Sequence, residues 1–281
     1  MIEKAIVYFP DKSIKQGYLS LFKEMVRDVV NSKWLTWQLF KRNFNALYRQ
    51  SLLGITWALI IPLVTVGTLI YLNASGIFNV GVITIPYPLY AVAGIALWQL
   101  FSVGLALSAN SLVGAGSMIT QVNFPREPLV ISAVIQGIVP SLIQIGVLFI
   151  LFAYYQIAPP LTVLLVPLAV IPLLVLTLGL GFIFSLINTV LRDVGNMISI
   201  VVMFLVFLTP VVYAKPSSGL AAVVSKYNPL YYLVSVPRDL LLFGGTVEWQ
   251  GYIYSTLLSV AVFFACWRAF HLAETRIAER I

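Results

Sequence analysis

The chain has 281 residues, 60% of them hydrophobic and only 10% charged, with a mean hydropathy of +0.97. Soluble domains run near 45–50% apolar and about 25% charged, which excludes a soluble enzyme, a nucleic-acid binder and a disulfide-rich secreted module. An outer-membrane barrel is excluded as well, because its strands would alternate polar and apolar residues. A single cysteine, Cys266, allows no intrachain disulfide and no multi-cysteine metal site, and the net charge of +7 matters here through its placement. The composition is that of an all-α, polytopic membrane protein.

The first 50 residues form a cytoplasmic N-terminal region. Residues 1–16 lack the continuous apolar core of a signal peptide and are expected to stay in the mature chain. Phe22, Met25, Val26 and Val29 share one side of a short amphipathic stretch. Trp34–Arg49 is predicted as an amphipathic helix, with Trp37, Phe40, Phe44 and Leu47 on one face and Gln38, Lys41, Arg42, Asn45 and Arg49 on the other. That pattern suits a helix lying in the membrane surface, either as a plain anchor or as a docking surface for a cytoplasmic partner.

From Gln50 to Pro125 there are 76 residues without Asp, Glu, Lys, Arg or His, and from Pro128 to Leu191 there are 64 more. Each run exceeds the roughly 20 apolar residues that span a bilayer. Proline, glycine and polar clusters divide residues 51–271 into six predicted spans: Ser51–Asn73, Pro88–Asn110, Leu129–Tyr155, Leu161–Leu191, Val194–Tyr213 and Gly251–His271. The fourth carries Pro167 and Pro172 and is expected to kink. The connection Ser111–Pro128 ends in Phe124-Pro125-Arg126-Glu127, which spacing alone reads as a snorkelling arginine beside a glutamate partner. Arg192-Asp193 makes a tight turn.

Before the last span, residues 216–245 hold Asn228-Pro229, a stretch to Phe243 with Arg238 and Asp239, and Gly244-Gly245. These segments are too short to cross and predict a pair of short re-entrant or interfacial outer helices. They form either a gate or a static lid. Aromatics gather on the same side, among them Tyr71, Tyr87, Tyr90, Tyr154 and Tyr155. They read as an interfacial belt or as a lining on which sugar rings stack. Residues 272–281 form a cytoplasmic C-terminal tail.

With both termini inside, the cytoplasmic segments hold 14 of the 17 Lys and Arg, against Lys215, Lys226 and Arg238 outside, as the positive-inside rule requires. Neither half mirrors the other, so an inverted-repeat carrier has no support. The interior of every predicted span lacks Asp, Glu, Lys, Arg and His, with Arg268 and His271 at the cytoplasmic end of the last, which argues against a proton relay. No G-x-x-x-x-G-K-[ST] phosphate loop occurs, so any ATP hydrolysis belongs to a separate chain. A membrane enzyme acting on a lipid-linked sugar would need a positioned acid–base pair. Only Arg126/Glu127 and Arg192/Asp193 are available, and neither has a histidine nearby in sequence. A passive channel would leave the basic docking face without a purpose.

Four motifs resemble one family. Tyr48-Arg49-Gln50-Ser51-Leu52-Leu53-Gly54-Ile55-Thr56-Trp57-Ala58, Asn123-Phe124-Pro125-Arg126-Glu127, Leu191-Arg192-Asp193-Val194, and Asn228-Pro229-Leu230 followed by Pro237-Arg238-Asp239 occur in the order seen in membrane subunits of polysaccharide-exporting ABC transporters. The resemblance implies a permease in the bacterial inner membrane, paired with a second copy of itself and with two ATP-binding subunits. Those partners would hold ATP and magnesium, leaving no cofactor and no metal on this chain. The cargo would be a lipid-linked polysaccharide such as O-antigen, or a teichoic acid or capsule polymer; a drug or small lipid carried by the same architecture is the alternative. Coupling to the ATPase would fall to Trp37, Lys41, Arg42, Arg49, Phe124, Pro125, Arg126, Glu127, Arg192 and Asp193, and an outer gate to Asn228, Pro229, Arg238 and Asp239. Alanine at Arg126 and Glu127 is expected to uncouple export while sparing the fold.

Overall fold

The structure, a computed structural model, describes residues 18–49, 56–76, 80–122 and 124–277. Most of the motif at Tyr48–Ala58, together with Phe78, Asn123 and Arg280, therefore lies outside the described residues, as do the side chains of Arg49 and Arg276. Every regular element among the described residues is helical. In chain order these are α1 (Tyr18–Asn31), α2 (Lys33–Arg49), α3 (Trp57–Ala74), α4 (Tyr87–Ala109), α5 (Ser111–Gly114), α6 (Gly116–Gln121) and α7 (Glu127–Tyr154). A 3-10 turn (Leu161–Leu165) precedes α8 (Val166–Val190), α9 (Val194–Leu208), α10 (Gly219–Tyr227), α11 (Pro229–Leu242) and α12 (Trp249–Ile277).

Four helical units are long and apolar enough to cross a membrane: α4, α7, the unit 161–190 and α12. The remaining two predicted spans correspond to the shorter apolar helices α3 and α9. Proline sets several starts, with Pro88, Pro128, Pro167 and Pro229 in first turns, where the missing N–H costs nothing. This is why the fourth run divides: Pro167 opens α8 and the residues before it wind as a 3-10 turn, while Pro172 stays inside the helix.

The fifth run ends at Leu208, five residues short of the predicted Tyr213, because Pro210 cannot continue the helix. At 1.5 Å per residue α9 is about 22 Å long, less than a hydrocarbon core of about 30 Å. The last helix exceeds its prediction, running past His271 to Ile277.

The hub is α4. Of its most apolar stretch 72% is buried, against 22% for α12, and it packs on α3, α7, α8, α9 and α11. It approaches α7 closely: a Cβ on Gly137 would lie 2.9 Å from Gly104 Cα and 2.7 Å from Gly104 N. A similar contact joins α8 and α12, where a Cβ on Gly179 would lie 2.7 Å from Phe263 Cα. Lipid tails supply no hydrophobic drive between helices, so close backbone approach at small residues is what holds such pairs together.

Candidate functional site

The helix order gathers the motif residues at two ends. At one end α4 stops, α7 starts, and α8 turns into α9. Asn188 joins these pieces: its Nδ2 donates to Ala109 O at 3.0 Å and Asn110 Oδ1 at 3.1 Å, and its Oδ1 accepts from Gly195 N at 2.8 Å. The turn carrying Arg192 and Asp193 is thereby fixed to the end of α4, with both charged side chains exposed. Nothing in the sequence singled out Asn188 beyond its being an amide in an otherwise apolar run.

Glu127 opens α7 and is fully buried. His271 Nδ1, on α12, is hydrogen-bonded to its Oε1 at 3.0 Å, while Oε2 has no hydrogen-bond partner among the described residues. The sequence reading therefore missed a histidine, and the two residues are 144 positions apart. Arg126 is buried too, at 9% exposure, so the snorkelling reading does not hold. Removing both side chains would disturb the core as well as any coupling, contrary to the expectation that alanines there spare the fold.

What this connection shows outward is Val113, Gly114, Ser117, Thr120, Gln121 and Val122, while Phe124 and Pro125 are half-buried. Phe22 on α1 meets α12, its ring 5.7 Å from Phe264 and 6.1 Å from Trp267. Asp28 of α1 has its carboxyl pushed above the ordinary aspartate range, first by burial and next by the charge of Glu127, with His271 acting the other way.

Helix α2 presents three faces. Ser32, just before it, and its own Thr36 and Leu39 are buried against the body of the protein. Trp37, Phe40 and Phe44 stack in a row at 5.3 and 5.9 Å, and Trp37 stays 50% exposed. Lys41 lies over Trp37, its Nζ 5.2 Å from the ring centroid, so cation and aromatic share a face that the helical wheel had kept apart. Arg42 turns away, with Nε donating to Asn43 Oδ1 at 3.1 Å and Nη1 lying 3.5 Å from Met118 Sδ.

At the other end the chain leaves α9 as irregular backbone through Pro210 and Val211. Irregular backbone at membrane depth persists only where protein satisfies it. Arg238, on α11 and 3% exposed, does this: its Nη1 donates to Pro210 O at 3.0 Å and Val211 O at 3.1 Å. Its guanidinium stacks 4.1 Å from the Tyr90 centroid, and its Nε lies 3.6 Å from Asp239 Oδ1. Burial lifts Asp239 above its ordinary range against the opposing pull of Arg238.

Asn228 caps α11 by accepting from Leu230 N at 3.0 Å, and donates to Thr209 Oγ1 at 2.8 Å. Pro229 follows in the first turn of α11. Lys215 pairs with Glu248 at 2.6 Å and lies over Tyr231. The predicted gate residues are thus assembled around the break after α9. The predicted aromatics divide: Tyr90 is buried under Arg238, Tyr87 and Tyr155 are half-buried, and Tyr71 and Tyr154 are exposed. Among the described residues no three His, Cys, Asp or Glu side chains are placed to hold a metal ion.

This is a multi-pass helical membrane protein whose polar residues concentrate at its two ends. Residues 35–242 match the model of the ABC-2 type transporter family, and the chain belongs to that family. It is similar to an O-antigen export system permease protein RfbA of Klebsiella pneumoniae, 28% identical over 211 residues, covering 74% of this chain and 80% of that protein. It is also similar to the protein of the same name from Myxococcus xanthus, 29% identical over 191 residues, covering 67% and 72% respectively. A second Klebsiella pneumoniae RfbA is 26% identical over 205 residues, covering 72% and 78%.

Proposed function

We propose that this chain is the transmembrane permease subunit of an ATP-driven exporter carrying a lipid-linked polysaccharide, O-antigen foremost, across the bacterial inner membrane. Two copies form the channel, each with six spans and cytoplasmic termini. Two separate ATP-binding subunits supply ATP, magnesium and hydrolysis. The observation that carries this reading is the run of relatives named O-antigen export permeases, which align over at least 67% of the chain.

In this reading the end bearing Glu127 faces the ATPase. Trp37 and Lys41 on α2, the exposed side of α6 and the exposed Arg192–Asp193 turn form the contact, with Phe124–Glu127 behind them transmitting movement into α7. The Arg238 end is the outer gate. Tagging the chain, extracting it gently from native membranes and identifying its companions by mass spectrometry tests the proposal. A stoichiometric chain with a phosphate-loop motif is expected; absence of any nucleotidase, after crosslinking as well, overturns it.

A further inference from the structure

A cavity of about 340 Å³ opens between α2, the end of α4 and the start of α7, with Arg42, Asn43, Ser111 and Gln136 on its wall. Arg42 is the only cation there, and no carboxylate pairs with it among the described residues. Its recorded partners are an amide oxygen and a thioether sulfur, the latter a weak acceptor. Two of its five N–H groups are thus used. Arg42 Nε uses one lone pair of the Asn43 oxygen, and the Asn43 NH2 makes no hydrogen bond among the described residues. Ser111 already donates to Ser108 O at 2.7 Å. The unused N–H groups of Arg42 and the Asn43 NH2 are donors joined to a full positive charge, which favours an anion with several acceptor oxygens.

The remaining wall indicates what carries that anion. Ala46, Leu107, Leu129 and Ala133, with Gly114 and with Asn110, whose amide is engaged by Ala106 O and Asn188, complete it, so apolar surface adjoins the donors. Helix α2, with Trp34 and Trp37 exposed and Phe40 and Phe44 half-buried, has the form of an element lying at the water–lipid boundary. Basic pockets at that depth suit phosphate head groups. We infer that this cavity binds the phosphate of a membrane lipid head group, with Arg42 and Asn43 as its donors and the lipid tail along Ala46, Leu107 and Leu129.

Native mass spectrometry of the full chain in maltoside micelles tests this with three probes: phosphatidic acid, diacylglycerol with the same tails, and inorganic phosphate. One phosphatidic acid per chain is expected, diacylglycerol is expected to bind at least about tenfold more weakly, and phosphate alone is expected not to displace the lipid at matched concentration. Arg42→Gln is expected to weaken phosphatidic acid about tenfold or more, the loss of a charged hydrogen bond, and Asn43→Leu about threefold. Asn43→Leu keeps every charge and so decides the matter should Arg42→Gln fail to fold. Equal binding of diacylglycerol, unchanged binding in both variants, or full displacement by inorganic phosphate would overturn the lipid-phosphate assignment.

Discussion

Glu127 at one end of the molecule and Arg238 at the other are both buried charged side chains, and the two ends use them differently. Arg238 repairs backbone: its donors go to the carbonyls of a segment that had to unwind after Pro210, and its plane rests on Tyr90. Glu127 joins side chains: it ties the first residue of α7 to His271 on the last helix and leaves one carboxylate oxygen without a partner among the described residues. Removing Arg238 strands fixed peptide groups, which no rotamer can rescue. Removing Glu127 strands one imidazole, which can turn. The Arg238 end should therefore be the more sensitive to substitution, although both charges are almost equally hidden.

The largest effect is expected for Arg238→Met, about 3 kcal/mol of stability, read as a drop in melting temperature in detergent. Arg238→Lys should recover only part of it, since an ammonium cannot reach both carbonyls in one plane and still stack on Tyr90. A stable Arg238→Met protein would break the contrast outright. Glu127→Ala should cost about 2 kcal/mol and Glu127→Gln under about 1, because the amide oxygen still accepts from His271. Equal losses in the two Glu127 variants would mean that the negative charge itself, and not the hydrogen bond, holds α7 to α12.

Gln144 sharpens the comparison from mid-helix. It is buried in α7, with neither amide atom bonded among the described residues. Gln144→Met keeps its volume and is expected to raise stability by about 1 kcal/mol, whereas a loss of stability would show that the amide is in use. The smallest effect concerns Asp28, whose folded-state pKa is raised. As pH falls toward the ordinary carboxylate range, the folded chain takes up this proton before the unfolded chain does, so stability rises, and it declines again as pH climbs back through the raised value. Asp28→Asn should abolish that slope and slightly stabilise the neutral-pH protein. A pH series of melts checks both.

The four long apolar helices were legible because a bilayer imposes long runs without charge, and charge-free length survives in sequence without any knowledge of neighbours. The pair of short helices before α12 was legible for the complementary reason, since Asn228-Pro229 and Gly244-Gly245 punctuate segments too short to cross. The Glu127–His271 pair was not legible. It depends on α12 returning beside α7, and a lone histidine at a helix end reads as an interfacial residue. The unwinding after Leu208 was masked by apolar residues that continue to Tyr213, so hydropathy stayed high where the helix had ended. The three faces of α2 escaped the helical wheel because a wheel separates two classes of side chain, while the protein body, the aromatic row and the turned-away Arg42 make a third direction.

The contact between Gly104 and Gly137 leaves no side chain between α4 and α7 at that level, so any rigid tilt of α7 against the hub must pivot there. The arm from Glu127 to the pivot is ten residues, about 15 Å, and the arm to Tyr154 is seventeen, about 25 Å. A sideways push of about 1 Å on Glu127 then emerges near Tyr154 as about 1.7 Å in the opposite direction. A small stroke at one face of the membrane is in this way geared up, and reversed, at the other.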